Sequence, residues 1–289
     1  MNYQWYPGHM TKAMRMMQEN IKLIDLLIEL VDARIPSAGR NPDIDRLGQN
    51  KARLILLNKC DLADPIENDR WREYYSMQGI QAVLIDSRKG TGLKEIRNAV
   101  MAACEKKIER DRKRGIINRP VRAMVAGIPN VGKSTFINAY AKKACTKTGN
   151  KPGVTKGKQW IRLDKSLELL DTPGVLWPKF EDELTGLHLA MIGAINDEIL
   201  QAEELACKVI LLMQEEYSGR LQERYKVDEK GAPSEVLAEI ALKRGCLKKG
   251  GEADPDKAAG LLLDEFRSGI LGRITIEKVG TYCDSSNAK

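Results

Sequence analysis

The sequence predicts an α/β fold, a doubly wound, mostly parallel sheet followed by a small all-α helical bundle. Three observations predict it. Apolar, β-branched runs alternate with helical stretches through the first part of the chain. A glycine-rich turn carrying a lysine, Gly127-Ile128-Pro129-Asn130-Val131-Gly132-Lys133-Ser134, directly follows one of those runs. After about Trp177 the strand pattern stops and helical periodicity takes over.

Taken in order, Leu26–Val31, Arg53–Leu57, Ala82–Ile85, Arg122–Ala126, Trp160–Leu163 and Leu167–Leu170 read as strands. Several are nearly continuous in apolar character, as expected of strands covered on both faces by helices. Helices are expected over Thr11–Lys22, Leu93–Glu109 and Lys133–Lys142 between them. In the second part, Leu187–Leu200 and Glu203–Gln214 are expected to be helical. Ser234–Arg244 should start on a serine cap and stop at Gly245. Asp254-Pro255 opens a further helix with a capping side chain and a proline at the first helical position, and Gly269 closes it. Arg273–Val279 alternates weakly and reads as a short extended piece. The division that follows is a sheet domain over 1–178, a helical domain over 179–283 and a frayed tail over 284–289.

The composition suits such a chain. Of 289 residues, 43% are hydrophobic and 30% charged, enough apolar material for a packed core and too much for a disordered chain. The net charge of +7 accords with simple solubility and also with a polyanionic partner. Six cysteines, at 60, 104, 145, 207, 246 and 283, are widely spaced and accompanied by two histidines, His9 and His188, which excludes a zinc site of the usual spacing. Reduced thiols and a cytoplasmic location are therefore expected. The apolar runs are too short to span a bilayer, so no membrane partner is expected, and nothing demands more than a monomer.

The turn from Gly127 to Ser134 sits where a phosphate-binding loop belongs, between an apolar strand and a helix. Glycines let the backbone wrap closely so that its N–H groups point inward, and the helix N-terminus adds a positive dipole. Val131, Gly132, Lys133, Ser134 and Thr135 are the candidate phosphate ligands, with Lys133 neutralising β/γ charge and the Ser134 hydroxyl ligating Mg2+. Asp171-Thr172-Pro173-Gly174 ends the last strand run. There Asp171 is placed to hold Mg2+ through a water, and the Gly174 N–H to sense a γ-phosphate. Between them, Lys151-Pro152-Gly153-Val154-Thr155 lies in a lysine-rich loop, and Thr155 is the candidate to close on the metal.

Asn58-Lys59-Cys60-Asp61 ends the strand at Leu57. A carboxylate at Asp61 accepts from both N1–H and the 2-amino group of guanine, donors that adenine lacks, so a buried Asp61 would discriminate strongly. Lys59 is expected to lay its stem along the purine, and Asn58 to tie this loop to the phosphate loop. Asp86-Ser87-Arg88-Lys89-Gly90 follows the next strand and completes the base pocket through the backbone near Ser87 and Arg88. Basic residues cluster at 106–114, at 142–158 around Thr155, and at 243–249. Solvated faces account for such runs, and the second, on a loop placed to respond to nucleotide, also suits RNA.

The order of base reader, base pocket, phosphate loop, threonine loop and D-T-P-G resembles that of the circularly permuted GTPases of ribosome assembly. Asp32-Ala33-Arg34-Ile35-Pro36 is similar to a short signature of that group, as is the opening Trp5-Tyr6-Pro7-Gly8-His9-Met10, and the likeness covers nearly the whole chain. The resemblance implies a P-loop GTPase domain whose ends were joined and recut. It also implies hydrolysis of GTP to GDP in late maturation of the large ribosomal subunit precursor, with rRNA and ribosomal proteins as partners. It implies His9 as the group that orients the attacking water, because Val175 stands where a glutamine is often found after D-x-x-G. Asn130 carries a further implication, K+ resting against the phosphates. A GTP-gated signalling switch acting on a protein effector without RNA is the competing expectation.

Overall fold

The computed structural model of the protein describes residues 8–117, 119–144, 160–163, 165–177, 182–195 and 201–282, leaving aside the side chains of 8, 9, 142–144 and 171. Six described strands form one sheet: β1 (Leu26–Asp32), β2 (Ala52–Asn58), β3 (Gln81–Ile85), β4 (Val121–Gly127), β5 (Trp160–Arg162) and β6 (Leu167–Asp171). Their order across the sheet is β3-β2-β1-β4-β6-β5. All neighbours are parallel except the edge strand β5, which runs antiparallel to β6. Every residue of the central strand β1 is buried, which is why Leu26–Val31 is written in almost unbroken apolar residues. The exception, Glu29, is met there by Arg40 at 3.1 Å and Arg53 at 3.0 Å, so its charge is paired where it is desolvated.

The first body carries α1 (Gly8–Asn20), α2 (Pro42–Leu47), α3 (Pro65–Met77), α4 (Ile96–Ala103), α5 (Glu105–Lys113) and α6 (Lys133–Ala144). The second carries α7 (Glu183–Met191), α8 (Ala202–Glu216), α9 (Arg220–Tyr225), α10 (Pro233–Lys243) and α11 (Pro255–Ser268). Its core is built on α8, with Ala206, Val209, Ile210 and Met213 buried against Ile240 of α10 and Leu262 and Phe266 of α11. Among the described residues, no helix is long and apolar enough to cross a membrane.

Several elements depart from the expectations. The single helix expected over Leu93–Glu109 is two, α4 and α5, meeting at Cys104. Cys104 is buried in the sheet core, as are Ile96, Ala99 and Val100, whereas α5 is mostly charged, buries Asp111 and packs on that core through the partly buried Ile108. The helix expected from Leu187 begins earlier, at Glu183, because the Asp182 carboxylate accepts from the Thr185 N–H at 2.6 Å. It stops at Met191, before Gly193 with φ +73°; 196–200 lie outside the described residues. Ser234 is not the cap of α10. Pro233 takes the first helical position, where its missing N–H is harmless, and the Glu235 carboxylate accepts from the Ala232 N–H at 3.1 Å. Of the short extended piece expected over Arg273–Val279, residues 273–278 join no sheet and Val279 starts a helical turn; the Ile274 and Ile276 N–H groups donate instead to the Leu62 and Arg34 carbonyls in loops of the first body.

That last segment brings the two bodies together. Val279 and Tyr282 pack with Trp71, Tyr74 and Tyr75 of α3, a small core separate from the other two. Conversely, Leu189, Ile192, Ala194 and Ile195, at and beyond the end of α7, join the core of the sheet body.

Candidate nucleotide-binding site

Parallel pairing in this register levels the motifs at one edge of the sheet. Asp32 pairs with Asn58 and Asn58 with Ile85, while Leu30 pairs with Gly127 and Val125 with Asp171. The loops after β1, β2, β3, β4 and β6 therefore leave from the carboxyl ends of neighbouring strands. The chain runs outward from β1 to β3 on one side and from β4 to β6 and β5 on the other, so the crevice between β1 and β4 is the switch point of the sheet.

A pocket of about 700 Å³ occupies that crevice, and Asn58, Lys59, Asp61, Ser87, Arg88, Asn130, Gly132, Lys133, Ser134, Thr135 and Gly174 all line it. The early base-reading loop and the later phosphate loop thus face one space. Asn58 joins them: its amide donates to the Val131 carbonyl at 2.8 Å, and its Oδ1 accepts from the Ser87 N–H at 3.1 Å and the Ser87 hydroxyl at 2.8 Å. Three loops are fixed by one buried side chain. Lys59, left-handed at φ +60°, donates through Nζ to the Asn130 carbonyl at 2.9 Å. Asp86 shapes the third loop by accepting from the N–H groups of Arg88 at 2.8 Å and Lys89 at 3.0 Å. Asp61, at the pocket wall, meets Lys89 at 3.5 Å, a loose and solvent-screened pairing that a base could displace.

The phosphate loop turns at Asn130, φ +59°, and Gly132, φ +97°. A Cβ on Gly132 would stand 2.6 Å from the Asn58 amide nitrogen, so glycine is required by space as well as by conformation. Lys133, buried, starts α6, with Ser134 and Thr135 in its first turn. Gly174 lies against this loop, where a Cβ would meet Pro129 Cα at 3.0 Å. Thr172 donates its hydroxyl to the Val125 carbonyl at 2.6 Å. The Val175 N–H donates to Gly127 at 3.1 Å, and Val175 is fully buried. Thr155 lies outside the described residues; Asp171 ends β6 and His9 lies in the first turn of α1, their side chains likewise outside.

The motifs mark Asp32, Arg34 and Lys59 but do not say that they meet. Asp32 is wholly buried, and its carboxylate accepts from Arg34 Nε and Nη2, each at 2.9 Å, and meets Lys59 Nζ at 2.9 Å. Burial pushes this carboxyl up, but Arg34 and Lys59 together outweigh it and hold it well below the usual carboxylate range. Burial, with Asp61 and Asp86 nearby, pushes the Cys60 thiol up to about 11, so the thiol inside the base-reading motif stays protonated at neutral pH. The Asn130 amide donates to the Gly193 carbonyl at 2.8 Å, bringing the loop after α7 onto the phosphate loop. Asn41 donates to the Val175 carbonyl at 3.2 Å. Of the basic clusters, Lys107 is engaged by Asp25 and Asp111 and Arg244 by Glu265; 145–158 lie outside the described residues.

Comparison with known proteins agrees with this geometry. The family model described as "50S ribosome-binding GTPase" matches residues 122–240. Ribosome biogenesis GTPase A of Bacillus cereus is 48% identical over 277 residues, covering 95% of this chain and 93% of that protein. The crystal structure of GNP-bound YlqF from T. maritima matches with a TM-score of 0.68 at 26% identity, over 92% of this chain and 98% of that one. Its GDP-bound structure matches with a TM-score of 0.69 over 92% and 100%. Likeness along nearly the full length, joined to a base reader that precedes the phosphate loop in sequence yet faces it across one pocket, places this chain in the ribosome biogenesis GTPase A family of circularly permuted GTPases.

Proposed function

We propose that this GTPase binds precursor large ribosomal subunits through rRNA in its GTP form and leaves them after hydrolysis, as a monomer in the cytoplasm. The observation that carries the reading is the shared pocket of Asp61 and Lys133, a guanine acceptor at one end and a phosphate-neutralising cation at the other. In this reading Asp61 accepts from N1–H and the 2-amino group, Lys59 lies along the ring, and the backbone at Ser87 and Arg88 closes the base pocket. Val131, Gly132, Lys133 and Thr135 hold the phosphates, and the Gly174 N–H reports the γ-phosphate.

The Ser134 hydroxyl, on the pocket wall in the first turn of α6, is an oxygen donor of the kind Mg2+ takes, and Thr155 and Asp171 would complete the set. A bound Mg2+ would neutralise charge on the β- and γ-phosphate oxygens, and K+ beside Asn130 would add to that. Val175 is apolar, buried and hydrogen-bonded through its N–H to Gly127, so its side chain has no means of orienting a water. His9, on the first turn of α1, takes that role, and a slow basal rate rises when the particle completes the site. The chain following Gly174 leads to α7, so movement at the γ-phosphate sensor is passed to the helical body, and the basic residues of 142–158 add rRNA contact.

Lys133→Ala should lower GTP affinity by roughly 100-fold, measured by calorimetry, because a buried phosphate charge loses its partner. His9→Ala should slow particle-stimulated single-turnover hydrolysis by at least roughly 100-fold with little change in GTP affinity. Binding to large-subunit particles should favour a non-hydrolysable GTP analogue over GDP and weaken steeply with salt. Salt-insensitive binding, or a protein effector captured with no affinity for the particle, would overturn the ribosomal part of the proposal.

A further inference from the structure

The base-reading loop has a second support underneath it. Lys59 is held in a left-handed backbone, and its side chain reaches between two acceptors, the Asn130 carbonyl and the Asp32 carboxylate, both at 2.9 Å. A free lysine samples many rotamers, so a stem fixed at its tip makes a firmer surface than one left in water. Asp32 can supply that fixed point because it cannot itself move. It ends β1 level with Asn58, it is wholly buried, and Arg34 grips both its oxygens through Nε, Nη2 and the backbone N–H. Arg34 is buried in turn and donates to the Arg267 carbonyl at the end of α11.

We infer that Asp32, clamped by Arg34, is the positioning residue that presents the Lys59 stem as the wall on which the purine ring rests. The inference depends on the base being read by Asp61 in this pocket. It assigns the two functions to different groups. Asp61 senses the 2-amino group; Asp32 acts through Lys59 on the ring face, which guanine and hypoxanthine share. Losing Asp32 should therefore weaken both bases by one common factor and leave the preference between them intact.

The test is calorimetric binding of GDP and of inosine diphosphate, which lacks the 2-amino group. The double variant Asp32→Asn/Arg34→Met removes both charges, so no uncompensated ion stays buried. Asp32→Asn alone is the second variant should the double one not fold. Affinity for both diphosphates should fall about tenfold in either, and in a Lys59→Ala background the same substitutions should change it less than about twofold, as expected of groups acting through one contact. An equal loss in the Lys59→Ala background, or no loss with Lys59 present, overturns the assignment. The base-reading premise is tested separately by Asp61→Asn, which should erase the preference for GDP over inosine diphosphate. If it does not, the premise fails whatever the Asp32 variants show.

Discussion

Gly132 bears the narrowest constraint in the pocket, and its neighbour Asn58 bears the most connections. A methyl group at Gly132 would have to enter the Asn58 amide at 2.6 Å while the backbone holds φ at +97°. Gly132→Ala should destabilise the fold by more than about 1 kcal/mol and abolish tight nucleotide binding, read by thermal unfolding and by fluorescent-nucleotide titration. Asp32 sets a pH expectation as well. Its folded-state pKa lies below the unfolded value, so its contribution is complete above that value and is lost as pH falls through the folded one. Stability owed to this carboxylate should therefore hold through neutral pH and decline only below about pH 3.8. Asp32→Asn should remove that acid limb from a plot of unfolding free energy against pH; an unchanged limb would show that other carboxylates produce it.

Among the elements, α11 is written most legibly. Asp254 accepts from the Lys257 N–H at 3.2 Å, Pro255 occupies the first turn, and Gly269 ends it at φ +81°, all of which local chemistry dictates. Asp254→Ala should cost about 1 kcal/mol, measured by urea unfolding. The α4–α5 break is the opposite case. Helical propensity continues across Cys104, but the close burial of Ile96, Ala99, Val100 and Cys104 gives way to a mostly charged helix that meets the core through Ile108, and no local signal marks the break. Within α11, Glu265 gathers Arg224 and Tyr225 of α9 and Arg244 at the end of α10. Arg244 reads in sequence as part of a basic cluster, and its pairing is invisible until α10 and α11 pack.

Across the molecule, Glu277 fastens the helical body to the sheet body. Its carboxylate accepts from the Ser37 N–H at 2.7 Å and the Ala38 N–H at 3.1 Å and meets His188 Nδ1 at 3.0 Å, while its carbonyl accepts from the Trp71 indole at 2.7 Å. Glu277→Ala would leave two backbone donors without their acceptor and cost about 2–4 kcal/mol. Calorimetry should then resolve two transitions, one per body, where the wild-type chain shows one. A single transition in the variant would mean that the Tyr282–α3 aromatic packing and the Ile274 and Ile276 backbone bonds hold the bodies together without it. The same segment lies on the loop just past Asp61, through Leu62 and Asp64, and the Asn130 amide meets Gly193 on the other flank. The helical body therefore touches both the base reader and the phosphate loop.

The α/β class, the strands and the chemical motifs were legible in the chain because each rests on short-range causes: side-chain periodicity, a glycine's freedom at positive φ, a capping carboxylate. Asn58, Asp61 and Lys133 were singled out by their own motifs, whereas Gly174 also needed its place downstream of the phosphate loop. Strand order is a different matter, since β1 lies between β2 and β4 through hydrogen bonds to residues far along the chain, and no local pattern encodes which partner is chosen. That choice places the early reader opposite the late phosphate loop, seats Asp32 under Lys59 and folds Glu277 back onto Ser37 and Ala38. Such contacts arise only when distant segments are packed and desolvated together, which is why the motifs that mark some of these residues do not say which partner each will meet.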